Sequence, residues 1–202
     1  YRPSSLKKRW GAALQLYSVR SEENWGCGDF RDLRKIIQTA GKFWKADTIG
    51  LQPLHTPTPG LASPYSPSSR LFWNPLYLDL QKVEELRASE SLRHLIRSRK
   101  FQATLQALRE SSFVQYEKVW EVKLSVLQKL YRLFRLNHLR PMSSRGRAFS
   151  RFVEQGGETL TRFAIFQALH EKFHGQTWHQ WPSDFRHPDS PSVRDFHKRQ
   201  MV

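Results

Sequence analysis

The residues best placed for contact chemistry lie between Ile49 and Leu80. The run Ile49-Gly50-Leu51-Gln52-Pro53-Leu54-His55 is apolar until it ends in Pro-Leu-His. It is followed by Ser63-Pro64-Tyr65-Ser66-Pro67-Ser68-Ser69-Arg70 and then by Asn74-Pro75-Leu76-Tyr77-Leu78-Asp79-Leu80. Tyr65 joins an apolar ring to a hydroxyl, Ser63 adds a second hydroxyl two residues away, and His55 adds an imidazole. A short apolar run that opens into a polar loop reads as a buried parallel strand with a loop at its carboxyl end. Prolines 53, 57, 59, 64 and 67 stiffen that loop, because each fixes its own φ and restrains the residue before it. Loops at that end of a parallel strand are where α/β barrels carry substrate contacts.

Other reactive side chains form no such group. Gly26-Cys27-Gly28 lacks the remainder of a phosphate-binding fingerprint, and Cys27 is not read as a nucleophile. His170 and His174 stand one helical turn apart, but Glu171 and Lys172 do not give the zinc-protease order, so no metal site is expected and the pair is placed on an exposed helix face. Asp29 is read as a helix N-cap in preference to a ligand contact, and Asn74 as a residue that holds the loop's shape.

The elements that must position these residues follow from periodicity. Ala12–Val19 reads as a first strand covered on both faces. Asp29 caps a helix from about Phe30 to Lys45, with Phe30, Leu33, Ile36, Ile37, Ala40 and Phe43 as its apolar face, and Thr48–Leu54 reads as a second strand. Strand, helix and strand make a βαβ unit with parallel strands and a right-handed crossover. Leu76–Leu80 reads as a short extended piece. Helices are expected over Val83–Arg99, Phe101–Glu110, Tyr116–Leu136, Ala148–Gln155 and Leu160–Phe173, with a stop at Gly156-Gly157 and another at His174-Gly175. A last helix is expected over Ser192–Met201. Two strands cannot cover themselves. The expectation is therefore the N-terminal part of a larger α/β domain: residues 1–80 a βαβ unit with its loop, 81–182 a mostly helical insertion, and 183–202 a return segment toward missing structure.

Composition sets limits. The chain has 202 residues, seven tryptophans and 13% aromatic residues, which argues against disorder. No apolar run approaches the roughly 18 residues of a membrane helix, and no signal peptide is read at the basic N-terminus. The absence of an initiator methionine leaves room for an upstream start. The single cysteine excludes an internal disulfide and fits a reducing, cytoplasmic compartment. The net charge of +15 suggests a polyanion, yet Arg93, Arg97, Arg99, Lys100, Lys129, Arg132 and Arg135 fall on solvated helical faces, and no nucleic-acid reading motif accompanies them.

Leu14-Gln15-Leu16-Tyr17-Ser18-Val19-Arg20, Asn24-Trp25-Gly26-Cys27-Gly28-Asp29-Phe30, Gly50–His55 and Ser63–Arg70 together resemble the amylomaltases, the 4-α-glucanotransferases of glycoside hydrolase family 77. Phe72–Asp79, Phe163–Leu169, Trp178 and Trp181-Pro182 extend the resemblance over nearly the whole chain. It implies a (β/α)8 barrel with inserted subdomains. It also implies retaining transfer of α-1,4-glucan segments between maltooligosaccharides through a covalent glycosyl-enzyme, with no metal or organic cofactor. By the same resemblance Tyr65 stacks on the glucose at the cleavage point, where an aromatic face suits the sugar's C–H face. A tyrosine that only packs the proline loop is the plainer alternative. Ser63 resembles a substrate-contacting serine or is a turn cap, and His55 reaches a sugar hydroxyl or satisfies the loop backbone. Trp178 and Trp181 line a glycan groove or, the safer reading, pack a core.

The sequence departs from the family in two ways. The nucleophile of an Arg-x-Asp strand motif, the later glutamate and the aspartate after a histidine are not found, so no catalytic residue is assigned and all three are expected beyond Val202. Gly60 stands where some amylomaltases carry a second-site tyrosine, which puts that site in doubt. A non-catalytic α-glucan-binding module and, less favoured, a basic polyanion binder remain as alternatives.

Overall fold

The computed structural model describes residues 8–57 and 63–200; Gly60 lies outside them. Two strands form the sheet. β1 (Gly11–Leu14) runs parallel to β2 (Thr48–Leu51), with Gly11 opposite Thr48 and Leu14 opposite Leu51. Between them stands α1 (Phe30–Thr39), so the βαβ unit forms as expected. Both strands are shorter than the apolar runs that suggest them. The chain leaves β1 at Gln15 and makes a 3-10 turn over Leu16–Ser18, which buries Leu16 completely. One strand face is open, not covered: Gly11, Ala13, Thr48 and Gly50 are exposed while Ala12, Leu14, Ile49 and Leu51 are half-buried. Small residues on the open face made the run look uniformly buried.

Asp29 caps α1 as expected. Its side chain accepts from the backbone N–H groups of Arg31 and Asp32, and the Asp32 carboxylate accepts in return from the Asp29 N–H at 3.1 Å. This is a capping box with Asp in place of Glu. α1 ends in a π turn over Ala40–Trp44, closed by Lys45 in the left-handed conformation. Ile37 and Phe43, expected on the buried face, are exposed.

The stretch Leu76–Leu80 is not extended. Asn74 accepts from Leu76 N–H and Asp79 from Gln81 N–H, and these two caps wind Pro75–Tyr77 and Leu80–Lys82 into 3-10 turns. α2 (Glu84–Ala88), α3 (Glu90–Arg97) and α4 (Arg99–Glu110) follow, with Ser89 and Ser98 capping the latter two. α5 spans Tyr116–Phe134, then a π turn over Arg135–Leu139. α6 covers Ser144–Lys172, starting earlier than expected because Ser143 caps it through Gly146 N–H. It breaks at Gly157 (φ 52°, ψ −146°), where the glycine pair predicted a stop. His174 and Gly175 close it with positive φ, and α7 spans Pro191–Gln200.

The described residues divide into two compact units, 8–57 with 63–132, and 133–200. In the first, Leu16, Cys27, Leu76, Tyr77, Leu108 and Val119 form the core, with Phe30, Leu33 and Leu54 packed against it. In the second, Leu169, Trp181 and Val193 are covered by Phe166, Phe173 and Phe185. Trp181 therefore packs a core, as the safer reading held, whereas Trp178 is exposed and stacks on His179 at 3.7 Å. No helix among the described residues is long and apolar enough to cross a membrane.

Candidate functional site

The proline-rich stretch folds as an antiparallel ribbon. His55 bridges Trp73 and Pro57 bridges Pro67. Asn74 N–H donates to Leu54 O at 2.9 Å, Thr56 N–H to Phe72 O at 3.0 Å, and Ser68 N–H to Thr56 O at 2.9 Å. The Thr56 hydroxyl donates to Trp73 O at 3.1 Å and the Ser68 hydroxyl to Thr56 O at 3.2 Å. Proline cannot donate to a ladder, so these side-chain bonds supplement a pairing that the prolines interrupt.

On this ribbon Ser63-Pro64-Tyr65-Ser66 forms a tight turn. Ser66 N–H donates to Ser63 O at 3.3 Å, with Pro64 at the position that favours its fixed φ. The Ser63 hydroxyl accepts from Tyr65 N–H at 3.3 Å, which is the turn-capping role weighed above. Its own hydrogen stays available for another acceptor. Tyr65 is 64% exposed. Trp73, across the ribbon from His55, is 62% exposed and approaches Phe30 with ring centroids 5.6 Å apart. The structure thus brings Ser63 and Tyr65 together. It leaves His55 half-buried at the ribbon's base, and no hydrogen bond among the described residues joins it to either.

The base is fixed by groups that carry no catalytic signature. Gln52, buried just after β2, accepts from Leu16 N–H at 2.8 Å and donates to the Tyr77 hydroxyl at 3.1 Å. Arg31 donates to Asp79 at 2.8 Å and to Gln81 at 3.0 Å. Asn24, also buried, donates to Asp32 at 2.9 Å and accepts from Gly26 N–H, which shapes the loop before α1. Gly26 has φ 90°, and a Cβ there would lie 2.6 Å from Leu108 Cβ. Gly28 admits no side chain, because Leu16 O would be 2.0 Å away. At both positions the backbone makes a close approach that leaves no room for a side chain.

The least expected member is Lys123. It is 1% exposed, and its ammonium donates to Leu76 O at 2.5 Å and Leu78 O at 2.9 Å. It therefore pins the carbonyls between Asn74 and Asp79. Burial pushes its pKa down, opposed by the nearby Asp29 carboxylate. Burial likewise pushes Asp29 up to about 6, with Lys123 pulling it back. Cys27, in the same core, is pushed up to about 12 by burial, which keeps it protonated and unreactive. The clue to Lys123 was its spacing: it lies four residues after Val119 and three before Val126, on the apolar stripe of α5.

Among the described residues no group of three His, Cys, Asp or Glu side chains could hold a metal. His174 is exposed, but His170 is half-buried with its Nε2 enclosed, so the pair does not share an open face.

Comparison with known proteins gives this geometry a context. Residues 14–201 match the model of glycoside hydrolase family 77, described as 4-alpha-glucanotransferase. A 4-alpha-glucanotransferase of Haemophilus influenzae is 36% identical over 192 residues, covering 90% of this chain and 27% of its own. One of Mycobacterium bovis is 34% identical over 200 residues, covering 94% and 26%. The crystal structure of amylomaltase from Corynebacterium glutamicum superposes with a TM-score of 0.66 at 29% identity, over 94% of this chain and 26% of that one. The chain spans about a quarter of the length of the relatives it matches. With the family model matched from the end of β1 through α7, the chain belongs to glycoside hydrolase family 77.

Proposed function

We propose that these residues form the glucan-facing front of a 4-alpha-glucanotransferase that disproportionates α-1,4-glucans and maltooligosaccharides in the cytoplasm. The observation that carries this is the turn Ser63–Ser66: a braced ribbon presents an exposed tyrosine inside a chain of family 77. In this reading residues 1–80 open a (β/α)8 barrel, 81–182 are a helical insertion, and 183–202 return toward the barrel.

Tyr65 offers its ring to the C–H face of a glucose unit, an arrangement that needs an uncovered aromatic face and little rotamer freedom. The Ser63 hydroxyl is oriented by the Tyr65 N–H and donates to a sugar oxygen. His55 lies at the ribbon's base as a further hydrogen-bonding group. The reaction needs two closely spaced carboxyls. One attacks the anomeric carbon as the other protonates the leaving oxygen. The second then deprotonates the acceptor's 4-hydroxyl, and the configuration is retained. Neither carboxyl is assigned to the residues described, and no cofactor, membrane or nucleic acid enters this reading.

The test is disproportionation of maltotriose by the complete gene product. Release of glucose together with longer oligosaccharides of retained α configuration supports the reading. Hydrolysis to glucose and maltose alone, or no turnover, contradicts it.

A further inference from the structure

The arm that follows the ribbon, Asn74–Asp79, is held by three separate stretches of the chain. Beyond β2, Leu54 O accepts from Asn74 N–H at 2.9 Å and the Gln52 amide donates to the Tyr77 hydroxyl at 3.1 Å. From α1, Arg31 donates to Asp79 at 2.8 Å. From α5, Lys123 donates to Leu76 O at 2.5 Å and to Leu78 O at 2.9 Å. The 3-10 turn at Pro75–Tyr77 uses the carbonyls of Asn74 and Pro75, which accept from Tyr77 N–H at 3.1 Å and Leu78 N–H at 3.0 Å. Lys123 therefore serves two carbonyls that this turn does not use.

Stability is a poor reason for this arrangement. Position 123 lies between Val119 and Val126, both fully buried, on the apolar stripe of α5, and Lys123 is itself buried. An apolar residue there would fill the space without stripping an ammonium of water, and buried charges are weak sources of net stability. What an apolar residue lacks is the means to fix two oxygens from one atom. An ammonium carries three donors, and two of them here set the spacing of carbonyls two residues apart. The bonds then continue outward along the ribbon. The Thr56 hydroxyl holds Trp73 O, Thr56 N–H holds Phe72 O, and Ser68 N–H holds Thr56 O, two residues from the Ser63–Ser66 turn.

We infer that Lys123 is a positioning residue for glucan transfer: through the Leu76 and Leu78 carbonyls, α5 sets where the ribbon holds Tyr65 and Ser63. The inference rests on the glucan-facing reading of that turn. Lys123 is enclosed in the core and touches no sugar, so its effect is geometric. A contact misplaced by about 1 Å is enough to slow a reaction about a hundredfold. Lys123 and Tyr65 therefore act as one unit, and the effects of substitutions within a unit do not add.

The experiment is a double-substitution cycle in the complete gene product: Lys123→Met, Tyr65→Ala and the pair. The kcat/KM for transfer from maltotriose is taken per folded molecule, with the folded fraction read from tryptophan emission at the assay temperature. Lys123→Met should lower it about tenfold or more. The pair should then fall within about twofold of Tyr65→Ala alone. Lys123→Gln keeps an N–H donor and should recover part of the loss; it also carries the test if the methionine variant does not fold. Losses that multiply in the pair, or wild-type kcat/KM per folded molecule in Lys123→Met, overturn the inference and leave Lys123 a purely structural cation. Failure of both Lys123 variants to fold overturns it equally. A crystal structure of the folded variant without sugar gives a readout independent of activity. The Ser63–Ser66 turn should shift by about 1 Å or more against β1 and β2, and an unmoved turn overturns the inference. Wild-type protein that transfers no glucan, or Tyr65→Ala that transfers as well as wild type, refutes the reading of the turn instead, while the crystal structure still decides whether Lys123 places the ribbon.

Discussion

Replacing Lys123 with methionine isolates what holds the ribbon's base. Methionine keeps most of the apolar stem and removes the ammonium, so the perturbation is electrostatic. The ammonium gives charge-assisted hydrogen bonds to Leu76 O and Leu78 O, at 2.5 and 2.9 Å. Each such bond is worth about 1.5–3 kcal/mol when its acceptor would otherwise be stranded. The substitution also relieves the desolvation of a buried cation, worth several kcal/mol, and this opposes the loss. It leaves Asp29 without the charge that holds its pKa down. Removing one member of a buried charged set costs about 3–5 kcal/mol, because the remainder stays buried and uncompensated. That is a large part of the roughly 5–15 kcal/mol that stabilises a domain. Urea unfolding followed by tryptophan emission at neutral pH should show a markedly lower midpoint with an unchanged slope. Asp29 should then titrate above its present value of about 6. An unchanged or higher midpoint would mean that Lys123 is a tolerated buried charge, and the bracing role assigned to it would fail.

Three further outcomes follow from the same unit. Asp29 is raised to about 6 against an ordinary value near 4, so its stabilising contribution is complete below about pH 4 and is lost as pH rises through about 6. Asp29→Asn, which keeps a good N-cap, should flatten the stability profile across that window, and an unaltered slope would assign the titration elsewhere. Gly26→Ala meets both φ 90° and Leu108 Cβ at 2.6 Å, and should cost about 2–4 kcal/mol in chemical denaturation. Cys27 is buried and raised to about 12, so an aromatic disulfide reagent should modify it only on unfolding; fast labelling of the native protein would contradict its placement.

Much of this architecture was written in short-range chemistry. Asp29 announced α1 because an aspartate before an amphipathic run caps it, and Gly156-Gly157 announced the break in α6 because a glycine there takes φ 52°. Asn74-Pro75 and Asp79 misled in the other direction. Asn74 and Asp79 are side-chain caps, and by accepting from the N–H two residues on they wind 3-10 turns where periodicity alone suggests extension. β1 was overread because Leu16, Tyr17 and Val19 continue the apolar pattern while the backbone already turns after Gln15. Tyr65 could be singled out by its proline-serine surroundings and by family resemblance. What the sequence could not show is that Thr56, Ser68 and Trp73 pair around the prolines, since those bonds span 12 to 17 positions. Gln52 was hidden for a related reason: it acts by bonding a distant backbone N–H and hydroxyl, which leaves no local motif, whereas the place of Lys123 on the apolar stripe marked it as buried without naming its partners.

The account rests on Tyr65 meeting the sugar, and the direct measurement is transfer from maltotriose by the complete gene product carrying Tyr65→Ala, with its melting temperature recorded beside it. Because Tyr65 is 64% exposed, removal of its ring should change stability by no more than about 0.5 kcal/mol. The account predicts that kcat/KM for transfer falls about a hundredfold or more while the melting temperature is preserved. Transfer at the wild-type rate, or a loss of activity matched by a loss of folding, would contradict it.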